Sequence, residues 1–357
     1  MSNTSIDILV TEAIDLLKEL IQTPSFSKQE DQTAGVISRY LAIKGVPTTR
    51  VKNNVFCVNS YFDDTKPTVL LNSHHDTVKP NSGYTKDPYL PIIEEGKLYG
   101  LGSNDAGGPL VSLIAAFLYY FEKSDLKYNL ILAATAEEEI SGADGIEYTL
   151  PLLPKIDFAI VGEPTLMQMA VAERGLMVLD ATAHGKPGHA ARNEGVNAIY
   201  KALKDIEWFA TYQFKNISPL LGPVQMNVTV INTENKAHNV VPALCTYVVD
   251  VRVNELYTFE EVINTIKENV QSDIKPRSTR LRSTSIAMDH SLVKGGISMG
   301  LSYYGSPTTS DKALMLFPAL KLGPGDSARS HSADEFIYVE EIKKGIELYI
   351  QLLNHIV

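Results

Sequence analysis

The chain has 357 residues, 44% of them hydrophobic, a net charge of -10 and two cysteines. That length supports a large buried core and two domains, so no disulfide staple is needed. The acidic balance and the lack of an uninterrupted Lys/Arg block exclude the footprint of a nucleic-acid binder. Cys57 and Cys245, far apart in apolar stretches, read as buried thiols of a reducing compartment.

The first 22 residues are acidic and amphipathic and lack the basic start and small-residue cleavage site of a secretory signal, which implies a cytoplasmic protein. Val10, Ile14, Leu17 and Ile21 recur at helical spacing with Pro24 behind them, predicting a helix that ends near Gln22. A second helix is predicted from Ser27, with Glu30 placed to complete a capping box. Short β-rich runs at 55–60, 68–72, 130–134 and 159–161 then alternate with helical stretches such as 110–122. This is the pattern of an α/β domain with a largely parallel sheet. The apolar run 109–121 falls short of the roughly 20 residues of a membrane span and reads as a buried helix, so no membrane partner is expected.

After Pro164 the pattern changes. Strands with clear alternation at 176–183, 224–231 and 246–253 are interrupted by helices at 198–209 and 259–269, which predicts an inserted α+β domain. Residues 275–285, rich in Lys, Arg, Ser and Thr, read as the return linker. Residues 309–322 and a closing helix at 339–356 complete the first domain. The expected division is 1–171 and 285–357 for the first domain and 172–284 for the insertion.

Four segments place acids and imidazoles directly after predicted strands, where the loops at the carboxyl ends of an open α/β sheet usually form a site. In Val69-Leu70-Leu71-Asn72-Ser73-His74-His75-Asp76 an apolar strand ends in two imidazoles and a carboxylate. His74 and Asp76 are two apart and share a face in extended backbone, so Asp76 can orient a metal-bound histidine. The stretch Gly100-Leu101-Gly102-Ser103-Asn104-Asp105-Ala106-Gly107-Gly108 surrounds one carboxylate with glycines. Its order is not G-x-G-x-x-G and no P-loop Lys follows, so alone it reads as a turn. Glu137, Glu138 and Glu139 follow Ala133-Ala134-Thr135-Ala136, and adjacent acids beside a buried strand repel unless cations or protons offset them. Adjacent side chains point differently, so one can ligate while its neighbour works as a base. Ile160-Val161-Gly162-Glu163 and Arg329-Ser330-His331 add another acid and a late histidine. Each segment alone has an ordinary explanation as strand-end or surface polarity. Together, two histidines and three carboxylates without a thiolate fit two borderline-hard divalent ions, zinc first, cobalt or manganese otherwise.

In this order, and over nearly the whole chain, these segments resemble the M20 metallopeptidase family, and within it the branch of acetylornithine deacetylases and succinyl-diaminopimelate desuccinylases. The resemblance implies a zinc-peptidase-like α/β catalytic domain with a mostly parallel central sheet and an inserted α+β lid domain through which two copies dimerise. It implies His74 and Glu163 as ligands of one metal, Glu139 and His331 of the other, and Asp105 as the bridge. Glu138 matches the family's general base, and Asp76 the acid that supports the metal site. Gly188-His189-Ala190 is similar to the lid element that reaches a partner's active site to polarise the substrate carbonyl. Asn239-Val240-Val241-Pro242 and Asp250-Val251-Arg252 are similar to the lid motif whose Asn and Arg meet the substrate carboxylate. Gly323-Pro324-Gly325 is similar to the loop that closes on the substrate. From the residues alone, His189 is an ordinary loop histidine and Arg252 half of a surface salt bridge.

There are departures. Members usually carry Asp-x-Lys-Gly at the bridging acid, whereas this chain has Asp105-Ala106-Gly107-Gly108, which removes a nearby cation. Glu137 stands where Asp is commoner. The resemblance further implies a cis peptide after Asp105. The reaction it implies is hydrolysis of the amide of a small N-acyl amino acid, N2-acetyl-L-ornithine or a related N-acyl ornithine or citrulline, in arginine biosynthesis. A dipeptidase or aminopeptidase of the same family is the alternative, and would need a site for the substrate's free amine. A catalytically inactive metal-binding protein is a third reading, against which the pairing of Glu138 with Glu139 argues.

Overall fold

Val69, Leu70 and Leu71 are each 0% exposed, the two-sided burial that an interior strand of a parallel sheet requires. In the computed structural model, which describes residues 5–192 and 194–356, they belong to the strand Thr68–His74 at the centre of the main sheet. That strand runs parallel to Asn129–Thr135 on one side and Phe158–Val161 on the other. Ala319–Lys321 continues the sheet parallel to Phe158–Val161, and the antiparallel strands Thr49–Val51 and Asn54–Val58 close the opposite side. His74 pairs with Thr135 and Asn72 with Val161. Three parallel strands therefore end level with one another, and the residues that follow them emerge along one edge.

The apolar run forms the helix Gly108–Tyr120, which packs against the helices Ile6–Ile21 and Val339–Asn354. It is buried on nearly every side, which is why its sequence shows no amphipathic period. The other face of the sheet is covered by a cluster of Leu70, Ile131, Ile146, Ala159 and Met315. Among the described residues, no helix is long and apolar enough to cross a membrane.

The first helix ends at Ile21 with Gln22 as its cap, as its spacing predicts. The second differs: it begins at Asp31 rather than Ser27. Lys28 has φ of 74°, which no helix accommodates, and both members of the expected capping box act elsewhere. Ser27 Oγ donates to Asp76 Oδ2 at 2.7 Å, while the Glu30 carboxylate accepts from Lys28 N at 2.6 Å and Asn53 Nδ2 at 2.8 Å.

The chain divides into two compact units, the first comprising Met1–Val171, Ile286–Tyr304 and Ser310–Val357, the second Ala172–Ser285 and Gly305–Thr309. The second unit is built on a four-stranded antiparallel sheet in the order Gln225–Asn232, Leu244–Val253, Gly175–His184, Asp273–Pro276. Met177, Leu179, Ala181 and Ala183 alternate inward against the helices Ala198–Thr211 and Phe259–Asn269. Thr258 and Glu261 complete a capping box on the second of these helices. The supposed linker at 275–285 is partly strand. Asp273–Pro276 pairs with Gly175–His184, and Arg277 clamps Asp180 through Nε and Nη2 at 2.8–3.1 Å. An edge strand exposes half its side chains, so its polar composition disguised it.

Leu70 sits at 0% exposure between the sheet and the 146–153 segment, so Leu70→Ala is expected to cost about 2–5 kcal/mol. The check is a lower denaturant midpoint at unchanged slope.

Candidate metal centre

The level strand ends bring His74, Glu138, Glu139 and Glu163 to one place. His74 is 1% exposed. Its Nδ1 faces Asp76, 3.1 Å from the backbone oxygen and 3.4 Å from Oδ1. Its Nε2 faces the other way, 3.3 Å from Asp105 Oδ1, 3.8 Å from Glu138 Oε2 and 3.9 Å from Glu163 Oε1. A proton on Nδ1, directed at Asp76, leaves the Nε2 lone pair pointing into the carboxylates, the arrangement by which an outer acid fixes the tautomer of a ligating histidine.

Asp76, 0% exposed, ties three elements together. Oδ1 accepts from Glu138 N at 3.0 Å, and Oδ2 from Glu139 N at 3.2 Å and Ser27 Oγ at 2.7 Å. Glu137, the residue before this turn, adopts φ of 58° and donates its N–H to Glu30 Oε1 at 3.2 Å. Two buried acids thus hold the turn on which Glu138 and Glu139 sit.

Asp105 and His331 complete the cluster. Asp105 turns Oδ1 to His74 and Oδ2 to His331 Nε2 at 3.8 Å, while His331 Nε2 lies 2.9 Å from Glu139 Oε2. The Asp105–Ala106 peptide is cis. Donor atoms of His74, Glu138 and Glu163 lie within 4.8 Å of one another, as do those of His74, Asp105 and Glu139.

The charges explain what such a cluster requires. Burial, then the Glu163 carboxylate, hold Glu138 well above the ordinary carboxyl value. Burial pushes Glu163 up to about 8, although Lys321 and His74 pull it down. Burial also raises Glu139, against the hydrogen bond from His331, and that same bond lifts His331 to about 9. Burial would raise Asp105 too, but His74 outweighs it and leaves that acid below its usual range. Four acids facing two imidazoles, without a thiolate, fit divalent cations better than they fit one another.

Gly107 has a packing reason. A Cβ there would stand 2.4 Å from Gly102 O and 2.5 Å from Leu17 Cδ1, so the turn has no room for the lysine common in similar sequences. A cation acts on another acid of the cluster: Lys321, 4% exposed on the strand beside Phe158–Val161, pulls Glu163 down with its charge.

Among the other expected residues, one belongs to the first unit and three to the second. Gly325 adopts φ of 89° against the Asn104 amide, whose Oδ1 accepts Asp326 N at 2.9 Å. In the second unit His189 pairs with Val240, and Ala190 N donates to Asn239 O at 3.0 Å, so His189 and Asn239 are neighbours despite fifty residues of separation. Arg252 is engaged by Asp250, Nε to Oδ1 at 2.8 Å and Nη2 to Oδ2 at 3.1 Å. Sequence reasoning gave Ser27 and Glu30 a helix-capping role only, and assigned none to Lys321 or Glu335. Of these last two, only Glu335 carried a signal, as an acid placed directly ahead of a strand, like Glu163 after one.

A buried set of imidazole and carboxylate donors with a further acid beside it, on the carboxyl edge of an α/β sheet, is the build of a metallohydrolase. Residues 70–355 match the family described as Peptidase family M20/M25/M40, and the chain belongs to that family. It is similar to the acetylornithine deacetylase of Proteus mirabilis, 30% identical with 96% of each chain covered. The succinyl-diaminopimelate desuccinylase of Wolbachia pipientis is 26% identical over 96% of this chain and 93% of that one. The fold is also that of the aminopeptidase PepT from Bacillus cereus, with a TM-score of 0.79, 20% identity and 97% and 98% of the two chains covered. The protein is a metal-dependent hydrolase acting on amide bonds.

Between pH 4.5 and about 8 the folded, metal-free protein holds protons on Glu163 that the unfolded chain has released. Stability therefore falls as pH rises through that window, by up to about 1.4 kcal/mol per pH unit for each such group. Thermal melts of chelated protein should show this decline, and excess divalent metal should abolish it. Gly107→Lys, which would restore the common residue, is expected to lower the melting temperature rather than improve metal binding.

Proposed function

We propose that the protein hydrolyses the amide of a small N-acyl amino acid, N2-acetyl-L-ornithine or a related N-acyl ornithine or citrulline, to a carboxylate and a free amino acid in arginine biosynthesis. The observation that carries this reading is the full-length similarity to an acetylornithine deacetylase, joined to a buried Glu138 beside the His74–Asp105 pair. Two divalent ions, zinc in our reading with cobalt or manganese as substitutes, would be held by His74 and Glu163 and by Glu139 and His331, with Asp105 between them. When bound, they supply Lewis acidity and an activated water.

Glu138 takes the proton of the attacking water and returns it to the leaving amine, the work of a single positioned carboxylate. Asp76 keeps His74 and the 138–139 turn in register throughout. The second unit acts as the lid. There His189 polarises the acyl carbonyl, Asn239 and Arg252 meet the substrate carboxylate, and in the first unit Gly325 forms part of the closing loop. Arg252 must then share its guanidinium with Asp250, which leaves Nη1 to the ligand. A homodimer through the second unit is supported by the sheet edge Gln225–Asn232 with exposed Val230 and Ile231, and by exposed Tyr200 and Leu203 on the helix Ala198–Thr211. The reduced, buried Cys57 and Cys245 support a cytoplasmic setting. A peptidase is the second reading, favoured by the fold shared with PepT.

The test loads the protein with zinc or cobalt and follows amine release from acetyl and succinyl derivatives of ornithine, citrulline and diaminopimelate and from dipeptides. Chelator-sensitive cleavage of one acyl amino acid is expected, whereas cleavage of dipeptides alone would move the enzyme to the peptidases. Glu138→Gln should lose ~100-fold or more in kcat; near-normal turnover would remove the base assignment. Mixing His189→Ala chains with Glu138→Gln chains should recover activity if sites are shared between copies.

A further inference from the structure

Glu335 is 2% exposed and holds the turn that presents Asp105. Its Oε1 accepts Asn104 N and Asp105 N, each at 2.9 Å, and its Oε2 accepts Gly102 N at 3.0 Å. Its backbone oxygen accepts Gly100 N, also at 3.0 Å. Four N–H groups of one six-residue turn therefore converge on a single residue. A buried carboxylate receiving three backbone donors fixes their orientation, because each would otherwise lie unsatisfied away from water.

The other end of the same segment is fixed as well. Asp334 accepts Thr85 N at 2.8 Å and Lys86 N at 2.9 Å, and His331 O accepts Asn81 Nδ2 at 3.2 Å. Beyond Glu335, Phe336–Tyr338 pairs antiparallel with Lys97–Tyr99, the strand that leads into the Asp105 turn. One short stretch thus carries His331 at its start and grips the Asp105 turn at its end. We propose that Glu335 is a positioning residue that locks Asp105 in register with His331, so that the acid between the two metal positions addresses both. The inference rests on the reading of Asp105 and His331 as metal ligands.

Glu335→Gln keeps the shape and one carbonyl acceptor for Asn104 and Asp105, but turns an amide N–H₂ toward the Gly102 N–H. Cobalt binding followed by equilibrium dialysis and by the visible absorption of the bound ion provides a readout independent of turnover. We expect this variant to bind one cobalt ion as the wild type does and a second at least 10-fold more weakly, with an altered spectrum, in line with the 10–100-fold typical of lost outer partners. Asp334→Asn, which loosens the same stretch from Thr85 and Lys86 only, should lower the melting temperature and keep both ions. Wild-type affinities and spectrum in Glu335→Gln, or equal loss of the second ion in Asp334→Asn, would overturn the proposal. Wild-type protein that binds two ions but cleaves no substrate removes the deacylase reading and leaves this inference standing, and wild-type protein that binds fewer than two removes both.

Discussion

Carboxylates crowd the carboxyl edge of the central sheet, and the rest of the first unit answers the repulsion among them. The buried acids divide by what satisfies them. Asp76, Glu335 and Glu30 are turned toward backbone N–H groups, and each uses them to hold a loop. Asp105, Glu138, Glu139 and Glu163 are turned toward His74, His331 and one another. The first group makes the scaffold rigid enough to keep the second group close together, and the second group is left with a demand that divalent cations meet.

That demand depends on strand register. Because His74 pairs with Thr135 and Asn72 with Val161, the chain delivers an imidazole and three carboxylates at one height. A slip of one residue would turn each ligand to the opposite face. The apolar interior strands and the helix Gly108–Tyr120 hold that register by burial, so the core and the site are linked through the sheet. Lys321 shows the same economy, since a residue placed in a buried strand also offsets charge at the strand's end.

Most of the architecture was legible from pattern. Alternation, helical spacing and the switch of pattern near Pro164 located almost every main element, and the matching family order named the residues of the cluster. The misreadings share a cause. Ser27 and Glu30 have the spacing of a capping box, but a hydrogen-bonding side chain serves whichever donor or acceptor the fold brings near, and here these were Asp76, Asn53 and Glu137. The strand Asp273–Pro276 looked like a linker because edge strands tolerate solvent-facing polar residues on one side and lack a hydrophobic signature.

The sequence by itself determined the α/β class, because periodicity is a local property, and its family order named the acids and histidines that the fold brings together. Only the tertiary structure decided that Asp76 spans His74 and the 138–139 turn, that the charge of Lys321 acts on Glu163 and that Glu335 holds the Asp105 turn. These relations join residues from 62 to 230 positions apart, and so depend on strand order and loop approach, which no local pattern encodes.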